Sequence, residues 1–281
     1  MTAIRPPAVA GSFYPANAAE LSALLDDCFD SSPLGPRGTG QKNTAIIAGL
    51  VPHAGPIYSG PCAAHLYASL DPSIQRVIVL GVDHRGHGDK ASLSPWDLWR
   101  TPLGDVRVDD GLSVFLADRL PFIQRQERAH ALEHSIEIQL LFLQRTLSEF
   151  TFLPISLSYL STQECADLGA AIADACQDAK AKNHKLLILA SSDLNHYLSP
   201  KQTAELDRLA LNEVLALDPT ALLRVVEAHN ISMCGVLPSA VMLFAARKLG
   251  AKRAHLLKHY DSGAVMPMRK VVGYASVAVE Q

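Results

Sequence analysis

Four short apolar runs constrain the fold of this chain more than any other feature of its sequence. Each run is apolar at consecutive positions, which is typical of a strand buried on both faces of a sheet. Segments with apolar residues three and four positions apart, typical of amphipathic helices, alternate with these runs. The predicted strands are residues 44–51, 76–82, 150–157 and 185–191, and the predicted helices are residues 18–29, 61–70, 134–147 and 162–180. This alternation predicts an α/β fold, in which helices flank a central, mostly parallel or mixed sheet.

The C-terminal third predicts several helices and then two further strands, residues 253–261 and 271–280. The last of these alternates in polarity, so we expect a half-exposed or edge strand. Residues 30–43 are rich in Pro, Gly and Ser and are predicted to form a surface loop. With 281 residues and no internal repeat, the chain is predicted to form one domain over residues 1–281.

Charge and hydropathy exclude several classes of partner. The formal net charge is −3, and no basic face is evident, so nucleic acid is not an expected partner. No apolar run approaches the roughly 20 residues that cross a bilayer, and the N-terminus lacks the pattern of a signal peptide. We expect a soluble, cytoplasmic protein with no membrane partner. Five cysteines without a C-x-x-C pair do not predict a disulfide framework or a zinc ribbon.

Three of the predicted strands end in histidine-containing turns. In α/β sheets, ligands bind beyond the carboxyl ends of the strands, so these turns are predicted to form one site. Taken singly, each turn has a plainer interpretation: a capping histidine, a polar loop, or a helix start with Ser192 or Asp193 as N-cap. One convergent site accounts for all three together. The residues at the strand ends are His53, then Asp83, His84 and His87, then Asp193 and His196.

The residue types in these turns indicate a transition metal. Neutral imidazoles suit Fe, Cu and Zn, and two histidines with one anionic ligand and open positions are the non-haem Fe(II) pattern. A further histidine outside the ligand set could act as an acid–base group, with Asp193 orienting it. The residues alone leave four candidates for the anionic ligand: Asp83, Glu133, Asp193 and Cys234.

Two other segments leave alternatives open. In a helix, Glu133 and Glu137 would share a face and His134 would point away. This arrangement favours an amphipathic helix with an exposed charged edge. A supporting role of these residues near the site remains open. Cys234 precedes a predicted helix, where a thiol has a lowered pKa, but a buried free cysteine fits the same position equally well. No nucleophile elbow, P-loop or dinucleotide-binding turn is present.

Six motifs together resemble the Memo family, known in prokaryotes as AmmeMemoRadiSam system protein B. They occur in the family's order between residues 5 and 241: "RPPAVAGSFYP", "VPHAGPIYSG", "GVDHRGHG", "EHSIEIQLLFLQ", "SSDLNHY" and "CGVLPSAV". The resemblance implies a fold similar to that of class III extradiol dioxygenases, the LigB-like proteins, which hold non-haem iron in an α/β crevice.

The resemblance also implies roles for individual residues. Those matching the family's metal-binding set are His53, His84 and Cys234, with the cysteine standing where dioxygenases use a carboxylate. His196 matches the acid–base histidine of the dioxygenases, with Asp193 beside it. Glu133 and His134 match a family motif for which the resemblance supplies no role, so they are predicted to be pocket or supporting residues. Asp83 adds a negative charge beside the pocket.

Three functions are compatible with this resemblance. The first is a non-haem metal-dependent oxidoreductase, similar to a dioxygenase, acting on an unknown small molecule; Fe(II) is the expected metal, with Cu or Zn as alternatives. The second is a module that binds a peptide or small ligand without catalysis. The third is an accessory protein of a radical-SAM enzyme, which would then be its partner.

Overall fold

The computed structural model describes residues 2–38 and 40–281 and contains twelve strands and eight α-helices within them. The strands are β1 (Ile4–Arg5), β2 (Ile46–Val51), β3 (Arg76–Val82), β4 (Ala91–Leu93), β5 (Leu98–Thr101), β6 (Gly104–Val108), β7 (Ile123–Arg125), β8 (Thr151–Leu157), β9 (Leu186–Ser191), β10 (His196–Leu198), β11 (Arg253–Asp261) and β12 (Val271–Glu280). The helices are α1 (Ala18–Asp26), α2 (Pro56–Ser69), α3 (Asp110–Ala117), α4 (Ser135–Thr146), α5 (Thr162–Ala181), α6 (Pro200–Leu215), α7 (Pro219–Ala228) and α8 (Val236–Lys248).

The strands form one mixed sheet with the order β1-β5-β6-β8-β3-β9-β2-β12-β10, to which β11, β4 and β7 attach at the side. The four central strands, β8, β3, β9 and β2, are all parallel to their neighbours in this group. They are the four apolar runs that the sequence predicts as buried strands. The predicted α/β fold, with a mixed sheet flanked by helices as in LigB-like proteins, is therefore confirmed.

The prediction of an exposed or edge position for the last strand is wrong. β12 is buried along nearly its whole length and pairs with three other strands, β2, β10 and β11. The small residues Gly273, Ala275 and Ser276 interrupt its apolar pattern, and they produced the apparent alternation. Small side chains allow helices to approach a buried strand closely, so they do not indicate exposure.

Two hydrophobic clusters cover the two faces of the sheet. Along β3, Val77 and Val79 belong to the cluster that contains α1, α2 and α4, whereas Ile78 and Leu80 belong to the cluster that contains α5, α6 and α8. Alternate side chains of a strand point to opposite faces, so a strand covered on both sides is apolar at every position. This three-layered arrangement is the reason for the continuous apolar runs.

The start of α2 lies earlier than the sequence predicts. The helix begins at Pro56, not near residue 61, and its proline sits in the first turn, where the missing N–H costs nothing and the fixed φ suits a helix. Pro61 lies within the helix and made the later start look more favourable. The early start places a helix immediately after the turn that carries His53.

Candidate metal centre

The carboxyl ends of the central strands bring the predicted histidines together. β2 and β9 are neighbours in register, with Val51 opposite Ser191, so His53 and Asp193 each lie two residues beyond a paired strand end. β3 ends at Val82, and His84 lies two residues further on. The ring centroids of His53 and His84 are 5.1 Å apart. The prediction that these turns converge is confirmed for this pair.

A third imidazole, that of His134, completes a compact cluster. Its ring centroid lies 5.4 Å from that of His53 and 4.8 Å from that of His84. One ring nitrogen from each of the three histidines lies within 4.8 Å of the others, a spacing at which they could hold a metal ion. His53 is buried, His84 is the most exposed of the three, and His134 is intermediate. Solvent therefore reaches the cluster mainly at His84.

His134 lies immediately before α4, which begins one residue later than the predicted helix. The helix starts at Ser135, so Glu133 and His134 precede it. The predicted separation of these two residues onto different helix faces therefore does not hold. The expectation of an exposed charged edge is wrong, since Glu133 is 3% exposed and Glu137 is fully buried. The "EHS" motif indicated a role for these residues near the site, but helical periodicity favoured an exposed position.

Hydrogen bonds fix the tautomer of His53. Its Nδ1 lies 2.9 Å from Oγ of Ser191, which donates its own proton to the carbonyl of Ser135 and accepts from Nε2 of Gln139. A hydroxyl has one proton to donate, so Oγ must accept from Nδ1–H of His53. The lone pair of His53 is therefore on Nε2, the nitrogen that remains for a metal.

Glu133 orients His84 in a similar way. Its Oε1 accepts from Nδ1 of His84 at 3.0 Å and its Oε2 accepts from the backbone N–H of the same residue at 2.9 Å. Oε1 also accepts from the backbone N–H groups of His134 and Ser135, each at 2.8 Å. One carboxylate thus fixes both the ring and the backbone of His84 and leaves Nε2 available as a ligand.

The electrostatics of the cluster favour neutral imidazoles at His53 and His134 and a protonated His84 paired with charged Glu133. Burial, followed by the charges of His134 and His84, lowers the pKa of His53 well below its usual value. Burial also lowers the pKa of His134. For His84, burial opposes protonation, but the hydrogen bond and charge of Glu133 outweigh it and raise the pKa. Burial likewise opposes ionisation of Glu133, yet the hydrogen bond and charge of His84 hold its pKa well below normal, so the carboxylate is charged.

Cys234 lies against His53 and the backbone of Asp193. Its Sγ is 3.2 Å from Nε2 of His53 and 3.6 Å from the carbonyl oxygen of Asp193. Of the two interpretations open for Cys234, a lowered pKa is not the one that fits: burial and the negative charge of Asp193 raise the pKa of this thiol. The apolar surroundings outweigh the helix terminus. A metal that bound here would displace the thiol proton.

Asp193 and His196 follow β9 but have different contacts. Oδ1 of Asp193 accepts from the backbone N–H groups of His53 and Ala54 at 2.8 and 3.2 Å, so it holds the turn that carries His53. Burial raises its pKa, although these hydrogen bonds and His196 oppose the shift. Nδ1 of His196 donates to the carbonyl of Ser232 at 2.8 Å. The hydrogen bond that orients His196 therefore comes from Ser232, where the sequence predicts Asp193.

The remaining predicted residues lie in the loop after β3. Oδ2 of Asp83 accepts from the backbone N–H of Gly88 at 2.5 Å and from Oγ of Ser158 at 2.9 Å, which closes the loop beneath His84. His87 is exposed and is not a member of the histidine cluster that the described residues form. Asp83 supports the pocket through the loop conformation and through its charge, which raises the pKa of His84 as a minor cause.

The N-terminal segment packs beside the histidine cluster. The ring of Phe13 lies 4.8 Å from that of His134. The segment is held by Glu137, whose carboxylate accepts from the backbone of Ala8 and Val9 and from the hydroxyl of Tyr14. Glu137 also pairs with Arg5 at 2.5 Å, and both side chains are fully buried. This contact connects the "RPPAVAGSFYP" motif to the site.

Fold and site together define a class: an α/β protein with a mixed sheet and a histidine cluster at the carboxyl ends of its strands. Comparison with known families gives a specific assignment, because residues 5–278 match the model of the Memo-like proteins. The chain is 38% identical over 280 residues to a MEMO1 family protein of Methanopyrus kandleri, covering 97% of this chain and 98% of that protein. It is 39% identical over 282 residues to one of Ignicoccus hospitalis, covering 98% of each. The protein belongs to the Memo family.

Sequence reasoning missed the residues that hold the histidines in place. Ser191, Gln139 and Ser232 each bond a histidine or its partner, yet they are common polar residues inside or beside apolar segments. Burial distinguishes two of them, since Ser191 and Gln139 are fully buried, whereas Ser232 is exposed. Within the described residues, no helix has both the length and the apolarity needed to cross a bilayer.

Proposed function

We propose that this protein is a metal-dependent oxidoreductase whose metal binds at the histidine cluster, with Fe(II) as the expected metal and Cu or Zn as alternatives. The observation that supports this most is the approach of three imidazole nitrogens to within 4.8 Å of one another. The donor set fits a transition metal, because hydrogen bonds to Nδ1 leave Nε2 of His53 and His84 available.

His53 and His84 are the two ligands that the proposal requires. The third ligand is Cys234, as the family resemblance implies, with His134 as the alternative that the geometry supports. Cys234 is 3.2 Å from Nε2 of His53, and a thiolate would favour Cu(I) or Zn. His134 would give a set of three imidazoles, which suits Fe, Cu and Zn alike.

The chain's own residues would manage protons around such a centre. A bound metal of this kind supplies Lewis acidity and redox chemistry at its open coordination positions. His196 has its Nδ1 bound to Ser232, which leaves Nε2 to accept a proton from a substrate and to return it. Asp193 holds the backbone of His53, so it would keep that ligand in place while the proton moves.

Anaerobic loading with Fe(II), Cu(I) or Zn(II), followed by metal analysis, tests the ligand set. We expect about one metal per chain, lost in His53→Ala and in His84→Ala. His87→Ala is the matched control, because it removes an exposed histidine from the same loop as His84 and should load normally. Full loading of both His53→Ala and His84→Ala would contradict the proposal.

The third ligand and the catalytic function need separate measurements. Cys234→Ala and His134→Ala distinguish the two candidates, since only the true ligand should reduce loading strongly. A thiolate-to-metal absorption band, absent from Cys234→Ala, would identify the sulfur. Oxygen uptake that falls in His196→Gln with unchanged metal content would support acid–base catalysis.

A binding function without catalysis is the second candidate, and exposed aromatic side chains favour it. Phe13 beside His134 is 39% exposed and Tyr197 beside His196 is 68% exposed, so a peptide or small ligand with apolar groups would find contacts around the pocket. Ligand binding that persists in metal-free protein, without oxygen uptake, would support this function. An association with a radical-SAM enzyme stays a prediction from the resemblance.

A further inference from the structure

We propose that the buried carboxylate of Asp207 is a positioning residue for His196, acting through Asn195 and Ser232 to hold its imidazole with Nδ1 protonated and Nε2 free. The inference rests on the proposed acid–base function of His196. Asp207 lies on α6, the helix that follows β10 in the chain. Its side chain is fully buried, which is costly for a carboxylate unless its partners compensate.

The partners of Asp207 come from two other elements. Its Oδ1 accepts from the backbone N–H of Asn195 at 2.9 Å, and its Oδ2 lies 2.9 Å from Nε2 of His259 on β11. Gly273 on β12 makes room for this carboxylate, because a Cβ added there would collide with Oδ2. Among the described residues, His259 is the one basic side chain within ion-pair distance. The carboxylate is thus directed at the backbone next to His196.

The side chain of Asn195 in turn holds Ser232 through hydrogen bonds. Oδ1 of Asn195 accepts from the backbone N–H of Ser232 at 3.3 Å and from its hydroxyl at 3.1 Å. These two donors fix which end of the amide faces Ser232, and Nδ2 is left without a partner among the described residues.

Ser232 then holds His196 at two points. Its hydroxyl proton goes to Asn195, so its Oγ can accept from the backbone N–H of His196 at 2.8 Å. Its carbonyl accepts from Nδ1 of the same residue at 2.8 Å. A carbonyl can only accept, so Nδ1 carries a proton and Nε2 of a neutral imidazole is the free acceptor.

The backbone beside His196 needs such support. Tyr197 has a φ of +61°, a strained conformation for a bulky residue. The pairing of β10 with β12 shifts register between His196 and Leu198, a bulge of the kind that redirects side chains near functional sites. The two hydrogen bonds to Ser232 therefore hold His196 at a point where the backbone is irregular.

The test is nitrogen-15 NMR of the full-length protein labelled at histidine, with His196 assigned from the signals lost in His196→Gln. We expect the wild type to hold one tautomer, with Nδ1 protonated. Asp207→Ala should reduce the preference for that tautomer about fivefold, the effect of losing one hydrogen bond, and Asn195→Ala, which removes both bonds to Ser232, should reduce it at least as much. Asp207→Asn should retain most of the preference, because its amide oxygen can still accept from Asn195.

Asp109→Ala is the matched control, since Asp109 is also a buried carboxylate, bonded to Arg76 and capping α3; it should leave the His196 signals unchanged. A wild-type tautomer that persists in folded Asp207→Ala and Asn195→Ala would overturn the proposal, as would a mixture in the wild type. If Asp207→Ala does not fold, Asn195→Ala decides, because it leaves α6 intact. The NMR signals need neither metal nor substrate, so an inactive wild type with a fixed tautomer would contradict the proposed oxidoreductase function alone.

Discussion

Replacement of Glu133 by glutamine should weaken metal binding without removing a ligand. The carboxylate accepts four hydrogen bonds, three at Oε1 and one at Oε2. In Glu133→Gln the amide oxygen can retain the three bonds at the Oε1 position, but the NH₂ group then faces the backbone N–H of His84. One hydrogen bond becomes a contact between two donors, and the negative charge beside the imidazole disappears.

The size of the effect follows from both losses. Changes to the partner of a ligating histidine typically reduce metal affinity 10- to 100-fold, which corresponds to about 1.4–2.8 kcal/mol. The pKa of Glu133 lies well below normal because of the hydrogen bond and charge of His84, despite its burial, so the wild-type charge is present at neutral pH. Glu133→Gln should therefore lose affinity by this factor throughout the neutral range.

Anaerobic competition titration against a chelator measures this loss, with thermal unfolding as the check that the variant is folded. Asp109→Asn is the control, because it neutralises a buried carboxylate remote from the cluster and should bind metal with wild-type affinity. A folded Glu133→Gln protein whose affinity lies within about twofold of the wild type would refute the reasoning, since orientation of His84 by this carboxylate would then contribute nothing to the site.

Three further predictions concern protons and stability. If Cys234 is a ligand, metal affinity should rise about tenfold per pH unit near neutrality, because binding releases the proton of a thiol whose pKa burial raises. Cys234→Ser should flatten this dependence of affinity on pH in the same titrations. An unchanged dependence would exclude the thiolate as a ligand. Asp109→Asn should destabilise the fold by about 1.5–3 kcal/mol at neutral pH in urea unfolding. Burial opposes ionisation of Asp109, but the hydrogen bond from Arg76 lowers its pKa. The stabilisation is therefore complete above the ordinary aspartate pKa and disappears as the pH falls through the folded-state pKa. Equal stability of both proteins at neutral pH would count against this prediction. Glu137→Leu should cost about 3 kcal/mol, because it leaves Arg5 buried without its partner, and hydrogen exchange should accelerate in residues 8–14 before it does in the sheet.

The central sheet was predictable from the sequence because both of its faces are covered. β3 is apolar without interruption from Val77 to Leu80, and few structures besides a doubly covered strand produce a short run of this kind. β12 was harder to interpret, since its buried positions include glycine, alanine and serine, which are small enough to pack against helices and polar enough to resemble an exposed strand. Pattern reasoning detects large apolar side chains, and it fails where close packing requires small ones.

The candidate site was predictable to the extent that its residues follow strand ends. His53 and His84 were found in this way, and they lie together. His134 precedes a helix, and its approach to the cluster depends on where α4 begins, which periodicity does not fix to one residue. The assignments of Cys234, Asp193 and His196 to metal binding or catalysis stay predictions, because the position of a side chain does not by itself give a reaction.

Because the N-terminal segment is held through Glu137, its sequence beside the histidine cluster can vary without changing the residues of the cluster. Apart from the two-residue strand β1, residues 2–9 form no regular secondary structure, and the segment is fastened by Arg5, Tyr14 and two backbone groups to a single carboxylate. Residues 11–13 between those anchors carry no part of the sheet or of the histidine cluster. Substitutions there can therefore reshape the entrance, and with it the choice of ligand, while the groups that would hold a metal stay in place.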